Sequence, residues 1–165
     1  MFRPMRRARQ ALPMAECEEI LRRGTSGVLS VLGDDGYPYG VPLSYVWHDG
    51  ALWFHCAKQG HKLDAIRGCD KVSFCVIDRD EVIPAEYTTY FRSVIVFGKA
   101  EILSSPEALR TAMAPLADRY DPSATAERRD GTIEKEMPAL CMVKLTPEHI
   151  SGKEAIELVR QASRA

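Results

Sequence analysis

The sequence has no long apolar run, no strong net charge and no regular cysteine spacing, and each absence excludes a class of protein. No stretch reaches the roughly 18 consecutive apolar residues of a membrane-spanning helix, and the basic N-terminus is not followed by the apolar segment of a secretory signal. With 22 Lys and Arg residues against 23 Asp and Glu residues, the net charge is −1. We therefore expect no nucleic-acid partner and no membrane association.

Motifs that define the common nucleophile, phosphate and metal sites are also missing. The five cysteines are odd in number and include no C-x-x-C pair, so neither a disulfide framework nor a zinc site is indicated. The chain contains no G-x-S-x-G, H-E-x-x-H, P-loop or G-x-G-x-x-G motif. The four histidines lack metal-ligand spacing, so we expect no metal ion. The lack of a disulfide pattern is typical of a reducing compartment and predicts a soluble, cytoplasmic protein.

What is present is the composition of an ordinary globular domain. Hydrophobic residues make up 45% of the 165 residues and charged residues 27%, so we interpret 1–165 as one domain that buries its own core. The segment 1–12 is predicted to be a solvated basic arm because it carries Arg3, Arg6, Arg7 and Arg9. The segment 121–131 is polar and is predicted to be a mobile loop.

Short apolar runs between turn-forming residues predict a mainly β fold with added helices. The predicted strands are 27–32, 37–47, 51–55, 71–77, 90–103 and 140–145, and 78–89 is predicted to be an irregular acidic loop. The predicted helices are 14–23, 61–67, 106–120 and 153–164. Because tight turns rather than helices join the first three strands, we expect a small antiparallel β-barrel and not a Rossmann fold.

The segment 54–66, which reads F-H-C-A-K-Q-G-H-K-L-D-A-I, predicts a strand, a turn at Gly60 and a helix that begins at His61 and Lys62. The first N–H groups of a helix have no intrahelical partner, and the helix dipole favours an anion there. Lys62 adds a positive charge and His61 a hydrogen-bond donor. A phosphate site is one interpretation of this segment, and a turn with ordinary surface charges is the other.

His55 and Cys56 are neighbours on the strand that precedes this turn. Successive strand residues point to opposite faces, so the two side chains are not expected to form a catalytic Cys–His pair. His55 and His61 could converge across the turn, and we favour contact with a cofactor there over metal binding. The aromatic residues of the second and third strands favour sheet packing or a dimer surface over ligand stacking; they are Tyr37, Tyr39, Tyr45, Trp47 and Trp53.

Three segments taken together resemble a known family: Y-P-Y-G-V-P-L-S-Y-V-W at 37–47, the segment 54–66 quoted above, and R-S-V-I-V-F-G-K-A-E at 92–101. They are similar to the FMN-binding split barrel, the superfamily of pyridoxamine 5′-phosphate oxidase, and within it to the nitroimidazole resistance (nitroimidazole reductase) group. The resemblance covers roughly 5–155. It implies a six-stranded antiparallel split barrel that forms a homodimer with two FMN sites at the subunit interface.

The resemblance also implies which residues hold the cofactor. By position, Val41, Pro42, Leu43 and Ser44 would run beside the flavin ring, Phe54 and His55 would line it, His61 and Lys62 would hold the 5′-phosphate, and Ser93 would reach in from the partner subunit. The strand beside the ring would act through its backbone, which suits a strand interrupted by proline. His55 is the expected catalytic residue near the reacting face of the ring.

Two departures separate the chain from the oxidase itself. Tyr39 occupies the position of a phosphate-binding arginine, and the sequence around and after His149 has no counterpart of the segment that binds the substrate phosphate. The implied function is therefore an FMN-dependent oxidoreductase acting on a small molecule, with reduction of a nitroimidazole-like nitro compound as its specific form. The alternatives are an F420-dependent reductase and a non-catalytic module that binds or sequesters flavin or haem.

Overall fold

The structure is a computed structural model that describes residues 1–163. Its α-helices are α1 (Met14–Arg23), α2 (His61–Gly68), α3 (Pro106–Tyr120), α4 (Ala126–Glu136) and α5 (Ile156–Ala162). Its strands are β1 (Ser26–Leu32), β2 (Pro38–Ser44), β3 (Val46–His48), β4 (Ala51–Ala57), β5 (Lys71–Ile83), β6 (Thr88–Leu103) and β7 (Leu140–Glu154). None of the helices within 1–163 has the length and apolar character needed to cross a membrane.

The seven strands form one antiparallel sheet in the order β2-β1-β5-β6-β7-β4-β3. The end strands of this order, β2 and β3, follow one another in the chain with only Tyr45 between them. Opposite ends of a sheet can be one residue apart only if the sheet curls back on itself. This confirms the mainly β split barrel with added helices. The extra strand arises because the stretch predicted as one strand, 37–47, divides at Tyr45, whose buried hydroxyl donates to the carbonyl of Leu21 at 2.8 Å.

The interior of the barrel is built by strand alternation. On β4, Leu52, Phe54 and Cys56 are buried, whereas Trp53 and His55 point outward. Two helices close the interior with apolar side chains, α1 through Cys17, Ile20 and Leu21, and α2 through Leu63, Ala65 and Ile66. Burying each large side chain stabilises the fold by about 1.5–3 kcal/mol, so the register of β4 is fixed and His55 is held on the outer side.

The predicted loop at 121–131 is wrong for its second half, where α4 begins. The hydroxyl of Thr125 accepts the N–H of Arg128 at 3.3 Å and caps the helix. Ile133 and Met137 are buried against α3. The sequence reads as a loop because only this narrow stripe of α4 is apolar.

The predicted acidic loop at 78–89 is instead a long hairpin that joins β5 to β6. The ladder continues to Ile83 after a bulge between Ile77 and Arg79, and a 3₁₀ turn at Pro84–Glu86 closes the hairpin. Most side chains of this extension are exposed, so it lacks the apolar alternation by which a half-buried strand is recognised.

A glycine inside a predicted strand indicates a bulge or bend, and Gly98 of β6 lies at one. The register of β6 and β7 shifts between Phe97 and Gly98, and a Cβ atom at position 98 would collide with the carbonyl of Thr146. On β7 the irregularity lies at Pro147, just beyond the predicted end of the last strand at 145. β7 instead continues to Glu154.

The segments at the two ends of the chain differ from their predictions in detail. The backbone of 1–12 is docked on the barrel, since Gln10 is buried and its amide donates to the carbonyl of Glu154 at 2.8 Å, although the four arginines of this arm are exposed. The helix predicted at 153–164 begins later, as α5, because its first residues belong to β7. Arg164, its predicted last residue, lies outside the described residues.

Candidate functional site

β2 is an edge strand whose outer side has no strand partner within residues 1–163. Its side chains alternate, with Tyr39, Val41 and Leu43 packed against the barrel core and Pro42 and Ser44 exposed. A proline has no N–H to give to a strand pair, which suits an edge position. β2 therefore offers unpaired backbone groups along its free side, as the predicted contact with a flavin ring requires.

The exposed side of β2 continues across three further strands. Pro42 lies opposite Val28 on β1, Val28 opposite Cys75 on β5, and Cys75 opposite Ile95 on β6. We call this surface the outer apolar face, formed by Val28, Ser30, Pro42, Cys75, Ile77, Ser93, Ile95 and Phe97. Its largest side chains keep much of their accessible surface, 62% for Ile77 and 37% for both Ile95 and Phe97.

Ser93 lies on the outer apolar face and apart from the other predicted contacts of its own chain. β6 is three strand spacings from β2, a separation of roughly 14 Å at about 4.8 Å per spacing. Ser93 therefore does not adjoin the free side of β2 in the single chain.

His55 and Phe54 have opposite surroundings on β4. Phe54 is fully buried and its ring lies 6.4 Å from that of Phe74 in the core. The ring of Phe54 is therefore not available to line a ligand, contrary to the prediction. His55 is exposed and, together with Ser44 at the end of β2, faces α3 and α4.

A cleft of about 550 Å³ opens where Ser44 and His55 face these two helices. Its apolar wall consists of Met113, Leu116, Ala117, Ile133 and Leu140. Its polar residues include Tyr120, Asp121, Arg128, Arg129 and Glu136. The volume falls within the range of small-molecule sites, about 300–1,000 Å³. The structure thus brings two predicted residues together with a surface that the sequence did not predict.

The walls of the cleft affect the protonation of His55. Although part of the His55 side chain stays accessible, the helices that face it remove some of its water, and this lowers the pKa of His55 below the usual value of a histidine; the carboxylate of Glu136 opposes this with a smaller effect. His55 is therefore a neutral imidazole at neutral pH. In that form one ring nitrogen donates a hydrogen bond and the other accepts one.

The N-terminus of α2 lies beside the opposite end of β2. Gly60 precedes the helix at a φ of 135°, a conformation that favours glycine. The ring of His61 stacks on Tyr39 with centroids 4.3 Å apart, and its Nε2 lies 3.6 Å from a carboxylate oxygen of Asp34. Lys62 is partly exposed and makes no ion pair with any carboxylate among residues 1–163. His61 is held by contacts of its own, whereas Lys62 is free to meet an anion.

His55 and His61 do not converge. His55 lines a cleft with Ser44 and His61 stacks on Tyr39, and these two β2 residues are about 17 Å apart at about 3.4 Å per residue. In the part of the chain that the structure describes, no group of three His, Cys, Asp or Glu side chains could hold a metal ion.

Sequence reasoning missed the residues of α3 and α4 that complete the cleft. The helix 106–120 is predicted and confirmed as α3, but nothing in its sequence indicates that it covers His55. A signal for α4 was present, because Thr125 is a good N-cap residue and Ile133 and Met137 form an apolar pair at i and i+4.

The curled antiparallel sheet with its added helices places the protein in the class of split β-barrels. Residues 13–154 match the model of the family described as pyridoxamine 5′-phosphate oxidase. The protein belongs to this family, and the resemblance seen in the sequence is confirmed. The matched range contains every predicted cofactor contact from Val41 to Ser93. No curated protein sequence matches the chain significantly.

Solved structures share the fold. A conserved hypothetical protein from Mycobacterium tuberculosis is 24% identical, with a TM-score of 0.79 over 92% of this chain and 90% of that one. A FAD-binding protein from Mesorhizobium loti is 26% identical, with a TM-score of 0.64 over 88% of this chain and 97% of that one. A candidate 5-nitroimidazole antibiotic resistance protein from Bacteroides thetaiotaomicron is 17% identical, with a TM-score of 0.72 over 87% of this chain and 86% of that one.

Proposed function

We propose that the protein is an FMN-dependent oxidoreductase that exchanges reducing equivalents with a small molecule. The observation that carries this proposal is the free side of β2, which runs from the cleft at His55 to the N-terminus of α2 at Lys62. We call this side of β2, with His55 and Lys62 at its two ends, the flavin strip. A flat ring with a phosphate on a short chain matches this strip, with the ring against the strand edge and the phosphate at the helix. Family membership and the similarity to the FAD-binding protein of M. loti support a flavin.

At the ring end, the proposed contacts are backbone groups of Val41, Pro42, Leu43 and Ser44. The side chains of Val41 and Leu43 are packed in the core, so the strand is held rigidly while its free side stays open. Fixed donors and acceptors at the polar edge of the ring would orient the flavin without costly reorganisation.

At the phosphate end, Lys62 is the proposed cation. A phosphate also meets the N–H groups at the start of α2, which have no acceptor within the helix. His61 would help chiefly by position, because its stacking on Tyr39 fixes the start of α2 against β2. Tyr39 brings no charge, so Lys62 carries a larger share of phosphate binding.

A bound flavin would supply the electron transfer, and the protein its position and surroundings. We propose His55 as the catalytic residue, because its neutral imidazole can hydrogen-bond a small molecule at the cleft, and after taking up a proton from solvent it can supply that proton to the molecule. Reduction of a nitroimidazole-like nitro compound is the specific reaction we propose. The fold shared with the Bacteroides protein motivates it.

We also propose a homodimer with the cofactor at the subunit interface. The outer apolar face carries exposed Ile77, Ile95 and Phe97 and continues directly into Pro42 on the free strand. Contiguous apolar surface of this kind is typical of an interface. A second copy seated there would bring its own Ser93 towards the flavin strip, which Ser93 does not reach within its own chain.

The first test is the absorption spectrum of the purified protein, before and after addition of FMN and removal of unbound ligand. We expect retained flavin bands and FMN in the mass spectrum of the released cofactor. A Soret band would replace the proposal with haem binding, and retained F420 would replace it with deazaflavin chemistry. Retained FMN without turnover of NAD(P)H and a nitro acceptor would favour the non-catalytic module. A colourless protein that retains none of these cofactors would overturn the site.

A further inference from the structure

The cleft between α3, α4 and β4 shares only Ser44 and His55 with the flavin strip. The other residues that line the cleft have no role in the proposed binding of the cofactor. We propose that this cleft binds a compact apolar ligand that carries a protonated amine and that it disfavours anions. The proposal follows from the shape of the cleft, the composition of its wall and the pairing of its charges.

The wall of the cleft is apolar and held in place by the fold. Met113 and Leu116 come from α3, and Ile133 comes from α4. All three side chains are largely buried, and Met113 and Ile133 belong to the apolar cluster that fixes α3 and α4 on the sheet. A wall whose side chains are already packed loses little freedom when a ligand binds, which favours a preformed site for an apolar skeleton.

The two cations of the cleft are already paired with carboxylates. Arg129 lies 3.0 Å from Asp118 and 2.9 Å from Asp130. Arg128 lies 3.4 Å from Asp121. A ligand carboxylate or phosphate that approached either guanidinium would therefore also meet a neighbouring aspartate, and this repulsion opposes its binding.

Glu136 is a carboxylate of the cleft that remains available to a ligand. It makes no ion pair with any Lys, Arg or His among residues 1–163, and it lines the cleft close enough to raise the pKa of His55. Of the charged side chains that line the cleft, Asp121 pairs with Arg128 and Arg129 pairs with aspartates outside the lining, so Glu136 is the one lining carboxylate without a cation among residues 1–163. A ligand ammonium group can pair with Glu136 while its apolar skeleton lies on the wall.

The ligand would lie beside Ser44 and His55. Its role as the substrate of the oxidoreductase therefore rests on the proposed function, whereas its binding does not require a flavin. The two proposals are separable, because the absorption spectrum tests the cofactor and direct titration tests the cleft.

The test uses three probes with one skeleton, namely 4-phenylbutylamine, 4-phenylbutanol and 4-phenylbutyrate, titrated calorimetrically into the purified protein near neutral pH. We expect the amine to bind about fivefold more tightly than the alcohol, as for one solvent-exposed ion pair, and the carboxylate to bind most weakly. Glu136→Gln should remove the preference for the amine and leave the alcohol unchanged. Glu127→Gln, on the same helix but outside the cleft, should keep the preference.

A blocking variant tests the location. Ala124 lines the cleft on the segment between α3 and α4 and is partly exposed, so Ala124→Trp should fill the space and abolish binding of all three probes. Circular dichroism checks that the variant is folded, and Ala117→Phe replaces it if it is not. The proposal is overturned if no probe binds the wild type, if the carboxylate equals the amine, or if folded blocking variants bind normally. A preference for the amine that persists in Glu136→Gln also overturns it.

Discussion

At the scale of single residues, the candidate site depends on which side of a strand a side chain occupies. On β4 the core fixes Phe54 inside, and this places His55 outside, at the cleft. The sequence predicted the importance of both positions, but the alternation that excludes a Cys56–His55 pair also removes Phe54 from the list of ring contacts. Strand alternation therefore predicted better which side chains are exposed, and the resemblance to a family predicted better which segments form the site.

The protonation of His55 gives the first prediction. Because burial lowers its pKa, the imidazole should titrate below the usual value of about 6.5. Glu136 favours the charged form, so Glu136→Gln should lower the pKa of His55 further. The ring-proton chemical shifts of His55 against pH measure both. Glu19→Gln, which removes a carboxylate on α1, should leave the His55 titration unchanged, and a pKa that rises in Glu136→Gln would contradict the prediction.

The lowered pKa of His55 also determines how the stability of the fold changes with pH. The unfolded chain binds the proton of this histidine at a higher pH than the folded chain does. Folding is therefore opposed once the pH falls below about 6.5, and the loss continues down to the folded pKa. Urea unfolding of the wild type and of His55→Gln between neutral and mildly acidic pH should show a shallower pH dependence in the variant.

Lys62 gives a prediction about affinity. Removing a charge-assisted contact to a phosphate costs about 1.5–3 kcal/mol, so Lys62→Ala should weaken FMN binding by roughly tenfold to a hundredfold with the fold retained. Quenching of flavin fluorescence measures the affinity. Lys135→Ala removes an exposed cation from α4 and should have no such effect. Equal FMN affinity in Lys62→Ala and the wild type would remove the phosphate site.

At the scale of elements, the sequence predicted those with strong local signals. α1 and α3 have the bounds predicted for them, 14–23 and 106–120, and tight turns join β1 to β2 and β3 to β4 as the sequence predicted. The missed elements are those whose stability comes from tertiary contacts. Most side chains of the 78–89 hairpin are exposed, and α4 has a single buried stripe that packs only because α3 lies beside it.

The cap of α4 is a direct test of that element. Thr125→Ala removes the side chain that accepts the N–H of Arg128, and loss of such a cap typically costs about 1 kcal/mol of folding free energy. Urea unfolding measures the change. Thr132→Ala alters an exposed threonine within the same helix without touching the cap, so it should cost much less. Equal destabilisation by the two variants would show that the cap does not hold α4.

At the scale of the whole molecule, the sheet carries two different outer surfaces. The half formed by β4 and β7 is covered by α3 and α4, while the half formed by β2, β1, β5 and β6 carries the outer apolar face. Sequence patterns cannot predict this division, because it depends on which strands become neighbours after the chain has crossed the barrel. The resemblance supplied the expectation of a dimer, and the cross-strand row from Pro42 to Ile95 supplies a physical reason for it.

Ile95 is the residue at which the proposed dimer is most directly tested. Ile95→Arg places a charge at the centre of the outer apolar face, where burial in an interface would leave it unpaired. We expect the variant to be monomeric by analytical ultracentrifugation and to bind FMN about tenfold or more weakly, because the partner's Ser93 no longer reaches the flavin strip. Met14→Arg adds the same charge to an exposed position of α1 and should leave both measurements unchanged. A wild-type protein that is monomeric and binds FMN with full affinity would refute the shared site, and the free side of β2 would then have to hold the cofactor within one chain.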